Sequence, residues 1–134
     1  MKFLKRLTFV LLLTVVFASC NNDDDKNSSD SLIGTWKLTA EKYNGVPYQL
    51  DECELKSTLK FTDTKVTNTE YDGTDCADVF TETYSYTKNG NTLMINADGD
   101  IVEMVISNLN ATTLELTEVD TEDNDIYITI YSRQ

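Results

Sequence analysis

From Leu32 onward the chain is a succession of short segments in which apolar and polar residues alternate, cut at regular intervals by pairs that tolerate a left-handed backbone. These pairs are Asn44-Gly45, Asp63-Thr64, Asn89-Gly90, Asp98-Gly99 and Asn110-Ala111. A period of two buries one face of a strand and wets the other, and no long segment shows helical spacing of its apolar residues. The pattern predicts eight strands, over residues 33–43, 54–61, 65–71, 79–87, 92–96, 101–109, 112–119 and 126–132. Trp36, Leu38 and Ala40, then Leu55, Leu59 and Phe61, Leu114 and Leu116, and Ile126, Ile128 and Ile130 are expected on the core face. Lys37, Lys56, Lys60, Glu115 and many threonines are expected to face water. Threonine occurs 17 times beyond residue 19 and tyrosine 7 times, both suited to pleated, half-buried surfaces. Eight antiparallel strands with short connections can close on themselves and so abolish exposed edges. The expected fold is therefore all-β, an eight-stranded antiparallel up-and-down barrel, with a flattened two-sheet sandwich as the alternative.

The first residues are of a different kind. Lys2, Lys5 and Arg6 precede LTFVLLLTVVF, an uncharged run of 11 residues, 7–17. It is too short to span a bilayer but fits the apolar core of a signal peptide. Phe17-Ala18-Ser19-Cys20 resembles the lipobox of bacterial lipoproteins, which implies cleavage before Cys20 and acylation of its thiol, with palmitate among the fatty acids expected. Residues 1–19 are then a leader. Residues 20–31 form a polar acidic tether that cannot pack a core, and residues 32–134 form the domain. Asn21-Asn22-Asp23-Asp24-Asp25-Lys26 is similar to the acidic runs that, in one group of Gram-negative bacteria, send lipoproteins to the outside of the outer membrane. The resemblance implies an outer-membrane protein, held by the lipid on Cys20 and facing the environment.

Charge and composition narrow the chemistry. The chain has 11 basic and 23 acidic residues, a net charge of −12. The leader holds three of the bases and no acid, so the remainder carries 8 bases against 23 acids, or −15. Such a surface repels phosphate backbones, and no nucleic-acid partner is expected. The absence of histidine excludes Ser-His and Cys-His nucleophile systems, histidine-ligated zinc and an imidazole pH switch. Carboxylate catalysis needs a pair of acids with one in an apolar setting. Glu82 and Glu103, the mid-strand acids, are read as facing water, so no enzyme activity, cofactor or metal is expected.

Leu32-Ile33-Gly34-Thr35-Trp36-Lys37-Leu38 resembles the opening strand of lipocalin-like domains, with the family's Gly-x-Trp on Gly34 and Trp36. Arg133, at the end of the last strand, matches the arginine that lipocalins place over that tryptophan. The resemblance runs from about Leu32 to the end of the chain. It implies a lipocalin-like barrel in which Gly34, Trp36 and Arg133 are structural.

In an antiparallel barrel the start of the first strand lies beside the end of the eighth, so Trp36 and Arg133 mark the bottom. The loops 44–53, 72–78, 97–100 and 120–125 then crowd the top, with Asp51, Glu52, Asp72, Asp75, Asp78, Asp98, Asp100, Asp120, Glu122, Asp123 and Asp125. Their spacing does not match a calcium-binding hand loop, and they are read as a solvated acidic rim. With Cys20 acylated, Cys53 and Cys76 remain, both at the top in an exported protein, and a disulfide between them is predicted. Two functions follow from this layout. The barrel is either a non-catalytic binder of a small apolar or amphipathic molecule, or a filled scaffold whose acidic loops engage a protein or glycan. For the binder, parity suggests Tyr84, Tyr86, Leu93, Ile95, Val102, Met104 and Ile106 as liners, with neutral or cationic ligands favoured. An eight-stranded interior is only just wide enough for its own side chains, so the scaffold is its equal rival. A monomer is expected.

Overall fold

The computed structural model describes residues 31–134. The leader, Cys20 and most of the acidic tether lie outside the described residues. The elements are β1 (Gly34–Tyr43), β2 (Val46–Tyr48), β3 (Thr58–Phe61), β4 (Lys65–Asp72), β5 (Asp78–Asn89), β6 (Thr92–Ala97), β7 (Asp100–Leu109), β8 (Thr113–Val119) and β9 (Ile126–Arg133). Single 3-10 turns occupy Glu54–Lys56 and Thr74–Cys76. Every neighbouring pair is antiparallel, and β9 pairs back onto β1 from Trp36 opposite Arg133 to Tyr43 opposite Tyr127. The result is a closed eight-stranded barrel formed by β1 and β3–β9. The short β2 extends it by continuing the edge of β1 that β3 leaves at Lys37. This hairpin turns at Asn44-Gly45, both at positive φ (48° and 80°), the geometry of a two-residue turn that follows the right-handed twist of the strands.

The packed core fills the lower half. Trp36, Phe61, Leu93 and Leu114 are fully buried, Phe61 meets Tyr86 edge-on at 5.4 Å, and the Tyr86 hydroxyl donates to the Thr62 carbonyl at 2.7 Å. The bottom is closed by Gly34, Trp36 and Arg133. The Trp36 indole donates to the Leu32 carbonyl at 2.8 Å. The Arg133 guanidinium lies 4.1 Å over the Trp36 ring and donates to the carbonyls of Ala111 (2.9 Å), Ile33 (3.0 Å) and Ser31. Gly34 is glycine for two reasons: its φ is +136°, and a Cβ there would sit 2.8 Å from Arg133 Nη1.

Three expectations are corrected. Ile126, Ile128 and Ile130 point outward, with Ile126 opposite Val119 and 40 % exposed. Tyr127, Thr129 and Tyr131 take the inner face instead. The reason is register: Arg133 must lie inside to cover Trp36, and a period of two then sends Tyr131, Thr129 and Tyr127 inward with it. Ala40 also leaves the core face. A β-bulge at Thr39 shifts the pairing between Leu38 and Ala40, and Glu41 becomes the inward residue opposite Thr129. Leu55 sits in the 3-10 turn before β3, 37 % exposed, because β3 begins only at Thr58.

Candidate functional site

Above the packed core the strands enclose a cup of about 600 Å³, within the roughly 300–1,000 Å³ range of small-molecule sites. Leu38, Leu59, Val66, Ile95, Met104 and Leu116 form its floor, and all but Leu38 belong to the packed core or rest against it. Its walls are unlike one another. β1, β4, β8 and the loop before β3 contribute Glu41, Glu70, Asp72, Glu118, Asp51 and Glu54, whereas β5, β6 and β7 contribute Phe80, Tyr84, Ala97 and Val102. Among the described residues no lysine or arginine lines the cup. A shallower groove between β2 and β9 shares Glu41, Glu118 and Tyr127 with it and brings Lys42 to its outer side.

The wall is low on one side. β5 pairs with β4 from Asp78 to Ser85 but with β6 only from Ser85 onward, so residues 78–84 extend past the β6–β7 hairpin paired with β4 alone. Phe80, on that rising stretch, lines the cup while 58 % exposed. The cup therefore opens upward and sideways beneath β5.

Burial and neighbouring acids shift the titration of several groups that line the cup. Burial, and then the charges of Glu54 and Glu70, push the Glu41 carboxyl above its ordinary value. Burial raises the Tyr131 phenol far beyond the usual range, with Glu41 and Glu70 adding to it. Tyr84 is pushed up to about 12 chiefly because its hydroxyl donates to Glu82 at 2.5 Å. Tyr131 and Tyr84 therefore stay neutral at any physiological pH, presenting phenol rather than phenolate to the cup.

Several rim acids prove to be fasteners for the loops that carry them. Asp51 Oδ1 accepts from the backbone amides of Cys53 (2.7 Å) and Glu54 (2.8 Å), and the Glu54 carboxylate accepts from the Asp51 amide at 2.7 Å, a reciprocal cap on the 3-10 turn. Asp120 Oδ1 accepts from the Glu122 amide at 2.7 Å. Asp125 accepts from the Tyr43 hydroxyl and from Asn44 Nδ2 (2.9 Å), tying the β8–β9 loop to the β1–β2 hairpin. The Tyr43 and Asn44 hydrogen bonds hold the Asp125 carboxyl below its ordinary value. Cys53 and Cys76 are joined as a disulfide, which straps the loop before β3 to the β4–β5 connection at the end of β4.

Of the seven residues that parity nominated, Tyr84, Ile95, Val102 and Met104 line the cup. Tyr86, Leu93 and Ile106 lie in the packed core beneath it, 9 %, 0 % and 5 % exposed. Sequence reasoning missed Glu41, Glu70, Glu118, Phe80 and Tyr131. Counting back by twos from Arg133 finds Tyr131, Thr129 and Tyr127. The inward turn of Glu41 depends on the bulge at Thr39, for which the sequence carries no sign.

A family model described as a lipocalin-like domain matches residues 32–116, more than half of the chain. Two crystal structures are similar in fold. One is a lipocalin-like protein from Bacteroides uniformis, 15 % identical, aligned over 73 % of this chain and 96 % of that one with a TM-score of 0.53. The other is an uncharacterized protein from Bacteroides eggerthii, 10 % identical, aligned over 78 % of this chain and all of that one with a TM-score of 0.54. No curated protein matches the sequence. The matched model, the closed barrel and the Gly34, Trp36 and Arg133 plug agree: the chain belongs to the family of lipocalin-like domains.

Proposed function

We propose that this protein is a lipid-anchored protein of the outer membrane, displayed on the cell surface, whose barrel binds a small apolar or amphipathic molecule without transforming it. The observation that carries the binding reading is the cup. Its apolar floor and adequate volume are what a filled scaffold would lack, and lipocalin-like barrels are built to hold small molecules. Anchor and location rest on sequence: the charged start, the short apolar run, the Ala18-Ser19-Cys20 site and the acidic run after it.

Native mass spectrometry of the protein purified from its host should retain an extra mass of a few hundred daltons, lost when Val102→Trp fills the cup. A folded protein that neither carries such a mass nor takes up any apolar probe refutes binding. Labelling with a fatty-acid probe should disappear in Cys20→Ala, and protease applied to intact cells should remove the domain. Persistence of the label rejects the anchor, and survival of the domain rejects surface display.

A further inference from the structure

The distribution of charge inside the cup carries the ligand class further. All six lining acids come from β1, β4, β8 and the loop before β3, while the facing wall of β5, β6 and β7 is aromatic and aliphatic. A ligand that satisfies both walls has a positive end and an apolar body. The acids have no cation among the lining residues to balance them, and repulsion within the group is already felt at Glu41, whose carboxyl is raised by burial and by Glu54 and Glu70. Glu54 and Glu70 are held in place, by the Asp51 amide at 2.7 Å and by Asn68 Nδ2 at 2.7 Å respectively, so the negative wall exists before any ligand arrives. An anionic head would add to the repulsion, and a neutral one would leave it unrelieved.

We propose that the cup selects amphipathic cations, seating a protonated amine or quaternary ammonium group beside Glu41, Glu54 and Glu70 and laying the apolar body against Phe80, Val102 and Met104. This rests on the reading of the cup as the ligand site. Tyr131, which lines the cup close enough to Glu41 and Glu70 to feel both charges, adds an aromatic side chain to that side. The open side beneath β5 lets a body longer than the cup is deep pass out along Phe80.

The test is titration calorimetry on the disulfide-intact protein with three probes sharing a ten-carbon chain, all below micelle formation: decyltrimethylammonium, decyl maltoside and decanoate. The ammonium should bind at least ~10-fold more tightly than the other two, with the advantage shrinking as salt rises. The double substitution Glu41→Gln and Glu70→Gln should remove most of that advantage and leave decyl maltoside binding unchanged. Glu122→Gln with Asp123→Asn, which removes as much charge from a loop outside the cup, should leave all three affinities as they were. Equal binding of the three probes overturns the cation preference while the cup stands as an apolar site. An equal loss in both double variants also overturns it, since net charge alone would then explain the preference. If Val102→Trp leaves binding of all three probes intact, the cup itself is not the site.

Discussion

Replacing Arg133 with methionine keeps the apolar stem but removes the guanidinium, and so tests how the bottom of the barrel is closed. Three hydrogen bonds to the carbonyls of Ala111, Ile33 and Ser31 are lost, together with the cation 4.1 Å over Trp36. Buried bonds from a charged donor are worth about 1.5–3 kcal/mol each, but the Ala111 and Ile33 bonds lie at the surface, where about 0.5 kcal/mol apiece is the better figure. The partly buried Ser31 bond adds about 1 kcal/mol, and the stack about 0.5–1 kcal/mol. The expected loss is therefore about 2–3 kcal/mol, or a fall of about 10 °C in Tm at this size. Urea unfolding followed by Trp36 fluorescence reads it directly, because Trp36 is the chain's single tryptophan and is fully buried under the arginine. Arg133→Lys keeps charge and stem but not the fork that reaches three carbonyls, so most of the loss should remain. Gly34→Ala should reproduce part of it from the other side, since its Cβ meets Arg133 Nη1 at 2.8 Å. An Arg133→Met protein within about 0.5 kcal/mol of the parent would refute this account, as would full rescue by lysine.

The Cys53–Cys76 strap closes a loop with a sequence separation of 23. Reduction should cost about 3 kcal/mol by the chain-entropy model, and two reactive thiols in the unreduced protein would contradict the strap. Glu41 has a raised carboxyl, so the folded state holds its proton more tightly than the unfolded state. Stability should accordingly fall as pH rises from the ordinary value of 4.5 through the folded one. Glu41→Gln should flatten that part of the denaturation profile measured at successive pH values, and parallel profiles would show that Glu41 is not the group responsible. The inner and outer faces of β9 can be told apart by two threonine substitutions. Ile128→Thr should cost under about 1 kcal/mol and Tyr131→Thr about 3 kcal/mol, and the reverse order in a thermal melt would overturn the assigned parity.

Much of the barrel was legible in the chain because its local signals agree with one another. Alternation, threonine and tyrosine content, and turn pairs such as Asn44-Gly45 and Asp98-Gly99 all report on neighbours in sequence. They located eight strands within a few residues, apart from the late start of β3, where a 3-10 turn replaced the first half of the expected strand. The three-residue strand β2 went unseen because Val46–Tyr48 is too short to show a period.

The face of each strand was a different matter. In β9 the sequence offers isoleucine on one side and tyrosine and threonine on the other, and hydrophobicity alone favours isoleucine for the core. The structure chose the opposite face, because Arg133 must reach Trp36 and register carries that choice along the strand. By itself the sequence determined the eight strands of the barrel through period and turn spacing and, with Cys20 taken as acylated, the pairing of the two remaining cysteines, while the closing motif was read from the resemblance to lipocalin-like domains. Only the tertiary structure decided that the lower half is filled and the upper half hollow, and that a bulge at Thr39 turns Glu41 inward. It also decided that the acids gather on one wall. These features depend on which residues face one another across a closed sheet, and that is settled by register among strands far apart in the chain.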